Sequence, residues 1–201
     1  MRTHPVFLRL EGRRCVVVGV DDVAARKADA CRGAGGEVTI IAPEEYREGD
    51  LAGAFLAYAS THDPELIRRL VDEAARERVL LNVVDVPEAC TFIAPAVVDR
   101  GELQIAIGTG GASPGLAAAL RRKLEAEVGP EYASFVAILG AVRAALGGEP
   151  GRADVMAALL GSPLLDLVRR GRRDEIDALL ARVGGARCTL DRLGVPLGSA
   201  R

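Results

Sequence analysis

Arg14-Cys-Val-Val-Val-Gly-Val-Asp-Asp-Val-Ala24 joins an apolar run to a turn and the start of a helical pattern. The run from Cys15 to Val18 has no polar break, as a parallel strand covered on both faces requires. Val23 to Ala34 follows as a helix stopped by Gly35-Gly36. Outward from this unit, Glu37 to Ala42 reads as a second strand ended by Pro43. Ala54 to Ala59 reads as a third, with a turn at Ser60-Thr-His-Asp-Pro64. From Glu65, the spacing of Leu66, Leu70, Val71 and Ala74 marks an amphipathic helix. Val79 to Val84 and Leu103 to Ile107 read as further strands of the same sheet. This alternation predicts an α/β fold with a doubly wound parallel sheet.

After Ile107 the strand pattern stops. Ser113 is a natural N-cap, with Pro114 at the first position of a helix running to about Val128. Tyr132 to Leu146 reads as a second helix and Gly147-Gly-Glu-Pro-Gly151 as a linker. Short helices follow, one after Ser162-Pro163 and another from Asp174 to Val183, and roughly the last dozen residues read as disordered. The expected division is therefore 1–112, 113–147 and 148–201.

The formal net charge of -2 over 201 residues offers no basic face for nucleic acid. No apolar run is long enough to span a bilayer, and the apolar part of Thr3-His-Pro-Val-Phe-Leu8 is too short for a secretory signal. The expected location is the cytoplasm. Cys15, Cys31, Cys90 and Cys188 form no Cys-x-x-Cys pair and read as reduced thiols, chiefly buried. With His4 and His62 the only histidines, material for a zinc site is lacking, and no metal ligands are expected.

A turn such as Gly19-Val-Asp-Asp-Val-Ala24 binds a dinucleotide when its glycines let the pyrophosphate approach free backbone N–H groups. Here only Gly19 remains, and Asp21 and Asp22 bring two carboxylates to that place. Asp22 is a candidate helix cap, whereas Asp21 only adds like charge, so the residues alone leave nucleotide binding open. Asn82-Val-Val-Asp85 puts a carboxylate at a strand end, where open α/β sheets bind ligands. Asp85 either closes an Asx-turn before Val86-Pro87 or serves as a general base, partial burial raising its proton affinity from a reference of ~3.9. Gly108-Thr-Gly-Gly-Ala-Ser-Pro114 is either an ordinary turn into a capped helix or a donor-rich rim for an anion. Arg121-Arg-Lys123 is either a solvated face or a partner for carboxylates.

Val23-Ala-Ala-Arg-Lys27, Tyr46-Arg-Glu-Gly-Asp-Leu51, Asn82-Val-Val-Asp85, Cys90-Thr-Phe-Ile-Ala-Pro-Ala96 and Thr109-Gly-Gly-Ala-Ser-Pro114 together resemble a known family. It is that of the bifunctional precorrin-2 dehydrogenase/sirohydrochlorin ferrochelatases of sirohaem synthesis. The resemblance implies a Rossmann-like domain, a helical dimerisation region and a small helical C-terminal domain. It implies NAD as cofactor, at Gly19, Asp21, Asp22 and Val23 of the first turn, at Pro43 and Glu44 after the second strand, and at Thr61 after the third. The implied substrates are precorrin-2 and sirohydrochlorin, with Fe²⁺ as a further substrate in members that make sirohaem. Asp85 is the implied catalytic residue in both steps. Thr109, Gly110, Gly111, Ser113 and Arg100 are the implied contacts to the carboxylate-rich tetrapyrrole, and a homodimer is the implied assembly. Two departures follow. The family turn is Gly-Gly-Gly-Asp-Val-Ala, so Val20 and Asp21 replace glycines, and roughly twenty residues, usually a helix and a strand, are missing between Pro43 and Tyr46. Both weaken a dinucleotide site, which keeps open a relative that acts only as a chelatase or as a tetrapyrrole-binding protein.

Overall fold

The structure, a computed structural model, describes residues 3–197. Contacts divide the chain into two compact units: one runs up to residue 95 and includes 108–114, and the other holds 96–107 and the chain from 115 onward.

In the first unit four strands, β1 (Arg14–Val18), β2 (Glu37–Ile41), β3 (Leu56–Ala59) and β4 (Leu80–Val83), form a parallel sheet in the order β2-β1-β3-β4. Cys15 to Val18 are fully buried, which accounts for the unbroken apolar run. Helix α1 (Asp22–Gly33) buries Ala24, Ala28 and Cys31, one stripe at helical spacing. On the same helix the Lys27 ammonium lies 5.2 Å from the centre of the Tyr58 ring. Its pKa is lowered by burial and by the nearby Arg26. Helix α2 (Pro64–Glu77) buries Leu66, Leu70, Glu73 and Ala74 and ends at Arg78, in the left-handed region at φ 58.

Between β2 and β3 no α-helix forms. After a 3-10 turn over Pro43–Glu45 the chain is held by one buried carboxylate from α2. Glu73 accepts from the Tyr46 hydroxyl at 2.5 Å and from the backbone N–H groups of Gly49 and Leu51 at 3.1 and 2.7 Å. Tyr46 and Leu51 fill the core beneath. Ten or so residues suffice for a parallel crossover when a side chain supplies the hydrogen bonds a helix would have made internally.

The β4 edge is covered by the segment after Asp85. Thr91 N–H donates to the Leu81 carbonyl, the Leu81 N–H donates to Thr91 Oγ1, both at 2.8 Å, and the Asn82 amide donates to the Phe92 carbonyl at 2.9 Å. The β2 edge is open, and Ile40 on it is 44% exposed.

The strand from Leu103 to Ile107 does not join the parallel sheet. It is β6 (Leu103–Ile107), paired antiparallel with β5 (Ala96–Arg100) in a separate hairpin of the second unit. The turn between them is too short for a parallel crossover and turns on Gly101 at φ 68. Helix α3 (Pro114–Glu127) follows. Helix α4 (Glu131–Leu146) then buries Phe135, Ile138, Val142 and Leu146 in a core shared with α5 (Arg152–Leu160), α6 (Leu164–Arg169), α7 (Arg173–Gly184) and α8 (Leu190–Leu193). The compact units thus depart from the expected boundaries at 112 and 147. The apolar stripe of α4 is covered by the helices after the Gly147–Gly151 turn, which makes that turn a bend within one core. The expected disorder of the last dozen residues is also corrected: Leu190 is buried and starts α8, while residues 198–201 lie outside the described residues.

Candidate active site at the carboxyl ends of the strands

Parallel register puts Val18, Ile41, Ala59 and Val83 in one row, so Gly19, Ala42, Ser60 and Val84 emerge at one edge of the sheet. The chain leaves β1 for β2 on one side and then places β3 on the other, so the β1–β3 ends form the topological switch point at which such sheets bind ligands. Asp85 lies just past β4, about 10 Å from β1 at the usual strand spacing.

Asp85 has φ 60 and is one of two non-glycine described residues with positive φ. Holding a non-glycine residue there costs about 1–3 kcal/mol, a strain that clusters at functional sites. The conformation is imposed by its surroundings. Val86 N–H donates to the Val83 carbonyl at 3.3 Å, and the Cys90 thiol donates to the Val83 and Val86 carbonyls, each at 3.2 Å. The Asp85 carboxylate accepts no hydrogen bond among the described residues, so the Asx-turn is absent. The expected partial burial is absent too: Asp85 is exposed, because the chain turns outward at the strand end. Cys90 was readable only as a buried thiol, and its role in shaping this turn was not.

At the first turn, Asp21 rather than Asp22 is the N-cap of α1. Asp21 Oδ1 accepts from the Ala24 N–H and Oδ2 from the Ser60 hydroxyl, both at 2.7 Å. Those two contacts, the Ala24 amide first, hold its carboxyl below the usual carboxylate range. Asp22 is the first helical residue, where its charge suits the positive end of the helix. Gly19 has φ 146, and a Cβ there would stand 3.0 Å from Ala24 Cβ and 3.1 Å from both Ser60 Cβ and the Ser60 carbonyl oxygen. Its N–H donates to the Ile41 carbonyl at 2.9 Å. The glycine is therefore required by the crossing of β1, β3 and α1, without appeal to a ligand. Val23 is half-buried at the helix start and Val20 is 73% exposed. Pro43 and Glu44 stand in the 3-10 turn past β2, and Thr61 Oγ1 accepts from the Asp63 N–H at 3.2 Å past β3.

A dinucleotide at this switch point would need free amides at the α1 terminus. The strand order and Gly19 fit it. The Asp21 carboxylate, already on the Ala24 amide, does not fit its pyrophosphate.

The loop 108–114 belongs to the same compact unit as Asp85. Gly110 and Gly111 have φ 62 and 84, Ala112 N–H donates to the Thr109 carbonyl at 3.0 Å, and Ser113 N–H donates to Thr109 Oγ1 at 3.2 Å. Thr109, Gly110, Gly111 and Ser113 thus form one closed turn at the start of α3. Arg100 is not among them. It lies in the second unit and donates to the Glu125 and Val128 carbonyls at 3.1 and 2.8 Å, capping the end of α3. Arg121 pairs with Glu125 at 2.7 Å, while Arg122 and Lys123 are exposed. Among the described residues no group of three or more His, Cys, Asp or Glu side chains is placed to hold a metal.

A cavity of about 180 Å³ lies elsewhere, between α2 and the short crossover, lined by Tyr46, Arg69 and Glu73 among others. Arg69 stacks 5.2 Å over the Tyr46 ring, and its neighbours Arg68 and Arg76 pair with Asp72 and Glu48. The Arg69 and Arg76 contacts tie α2 to the crossover and the Arg68–Asp72 pair stays within α2, so the strand ends remain the candidate site.

The family described as "Putative NAD(P)-binding" matches residues 6–96, and the one described as "Sirohaem biosynthesis protein central" matches residues 100–127. Sirohaem synthase of Methylobacillus flagellatus is 35% identical over 73% of this chain and 35% of its own length. Sirohaem synthase of Chromobacterium violaceum is 33% identical over 96% of this chain and 46% of its own length. The chain thus spans less than half the length of these relatives. The solved structure of SirC, precorrin-2 dehydrogenase, covers 90% of this chain and 98% of its own with a TM-score of 0.73; at 20% identity it speaks for the fold.

Proposed function

The chain belongs to the family of the sirohaem synthase N-terminal region, and on that premise we propose that it is a precorrin-2 dehydrogenase, oxidising precorrin-2 to sirohydrochlorin. The observation that carries the reading is Asp85, an exposed carboxylate held at φ 60 beyond β4 with no hydrogen-bond donor among the described residues. The oxidation takes two hydrogens from the macrocycle, one of them as a proton, and Asp85 is placed to accept that proton. The 109–113 turn offers the Gly110 and Gly111 amides and the Thr109 hydroxyl to a substrate carboxylate. NAD is the cofactor the family favours, the cytoplasm the setting and a homodimer the assembly.

A second reading is favoured by one observation, the Asp21 carboxylate on the Ala24 amide of α1. In it the chain is a chelatase for sirohydrochlorin, with Asp85 accepting pyrrole protons and Fe²⁺ as substrate. Two incubations of the purified protein separate the readings, precorrin-2 with NAD⁺ and sirohydrochlorin with Fe²⁺. Sirohydrochlorin formed in the first supports the dehydrogenase. Sirohaem formed in the second alone supports the chelatase. Neither product contradicts both.

A further inference from the structure

We infer that Asp21 and Ser60 form a latch that occupies the anion position at the end of β1 and thereby sets this chain's affinity for a dinucleotide. The inference deepens the dehydrogenase reading in its turnover arm; its binding arm stands without it.

Both oxygens of Asp21 are engaged, Oδ1 by the Ala24 amide of α1 and Oδ2 by the Ser60 hydroxyl past β3, each at 2.7 Å. The carboxylate thus spans the two strand ends that define the switch point. Ser60 is fixed in turn, its N–H donating to the Val18 carbonyl at 2.8 Å. Gly19, the remaining glycine of the turn, spends its N–H on Ile41. A diphosphate arriving here finds the Ala24 and Gly19 amides taken and a second anion in place. Its binding must displace Asp21 from both partners, and the displaced charge stays within reach because Asp21 directly precedes the helix. Asp21 is exposed, so water screens the repulsion and occupancy of the donors is the larger obstacle. The latch therefore acts as a specificity-determining contact against diphosphate-bearing cofactors, raising the NAD⁺ concentration needed without touching the reacting atoms.

Calorimetric titration with NAD⁺, and with inorganic pyrophosphate as the bare anion, tests this on wild type, Asp21→Gly, Asp21→Asn and Ser60→Ala. Glycine is a tolerated N-cap, so Asp21→Gly keeps α1. It should tighten both ligands by more than tenfold, about 1.4 kcal/mol. Asp21→Asn removes the charge but can still occupy the donors, and should gain less. Ser60→Ala frees one oxygen and should fall between wild type and Asp21→Gly. In turnover, Asp21→Gly should lower the KM for NAD⁺. Wild-type binding that Asp21→Gly does not tighten overturns the latch. Should Asp21→Gly unfold, Ser60→Ala decides, and unchanged affinity there overturns it equally. Tightened NAD⁺ without any precorrin-2 oxidation keeps the latch and removes the dehydrogenase. Oxidation with an NAD⁺ affinity indifferent to Asp21 does the reverse.

Discussion

Tyr46 donates its hydroxyl to Glu73 at 2.5 Å inside the core, and the same carboxylate collects the backbone of Gly49 and Leu51. One buried acid thus replaces the helix that a longer crossover would carry. Burial, with Glu73 adding to it, pushes the Tyr46 hydroxyl pKa well up, so it stays a donor.

Tyr46→Phe leaves one carboxylate oxygen without its donor and should lower the unfolding free energy by about 1–3 kcal/mol. Glu73→Ala strands three donors and should cost more. Urea unfolding of both variants measures this. A Glu73→Ala protein as stable as wild type would mean that the crossover holds itself.

The sheet was legible because its strands are short apolar runs bounded by Gly and Pro, and because Ala24, Ala28 and Cys31 keep helical spacing. The strand at Leu103–Ile107 was misplaced because an apolar run looks the same in a parallel sheet and in a hairpin. Its pairing depends on Ala96–Arg100, whose Pro95 and Asp99 hid a strand. Asp85 was found by its position after a strand, but its backbone conformation goes with thiol contacts from Cys90 to the Val83 and Val86 carbonyls, which no local pattern announces. Asp21 shows a third limit. Which of two adjacent acids caps a helix is decided by a hydroxyl at Ser60, far along the chain.

Burial pushes the Cys31 thiol from 9.0 up to about 12 and the Tyr58 hydroxyl from 10.0 up to about 12. Both folded values exceed the unfolded ones, so their stabilisation is whole below pH 9 and is lost as pH rises towards 12. Unfolding free energy should therefore fall across that window, and Cys31→Ala should shallow the fall. Identical slopes for the two proteins would remove Cys31 as the cause.

Helix α3 buries only Ala117, while Leu116 and Leu120, one turn apart, are 52% and 39% exposed. We expect this face of α3 to lie in a homodimer interface, which for an obligate dimer buries over ~2,000 Å². Sedimentation should give a dimer at micromolar concentration, and Leu116→Lys with Leu120→Lys should give a folded monomer. A wild-type monomer would refute the assembly.

The most direct measurement is the rate of sirohydrochlorin formation from precorrin-2 at saturating NAD⁺, compared between wild type and Asp85→Asn. Asparagine keeps the size and tolerates the positive φ but cannot take a proton, so the folded variant should lose at least about 100-fold in kcat, the usual worth of a general base. Equal rates in the two proteins would contradict the account and leave Asp85 as a turn residue.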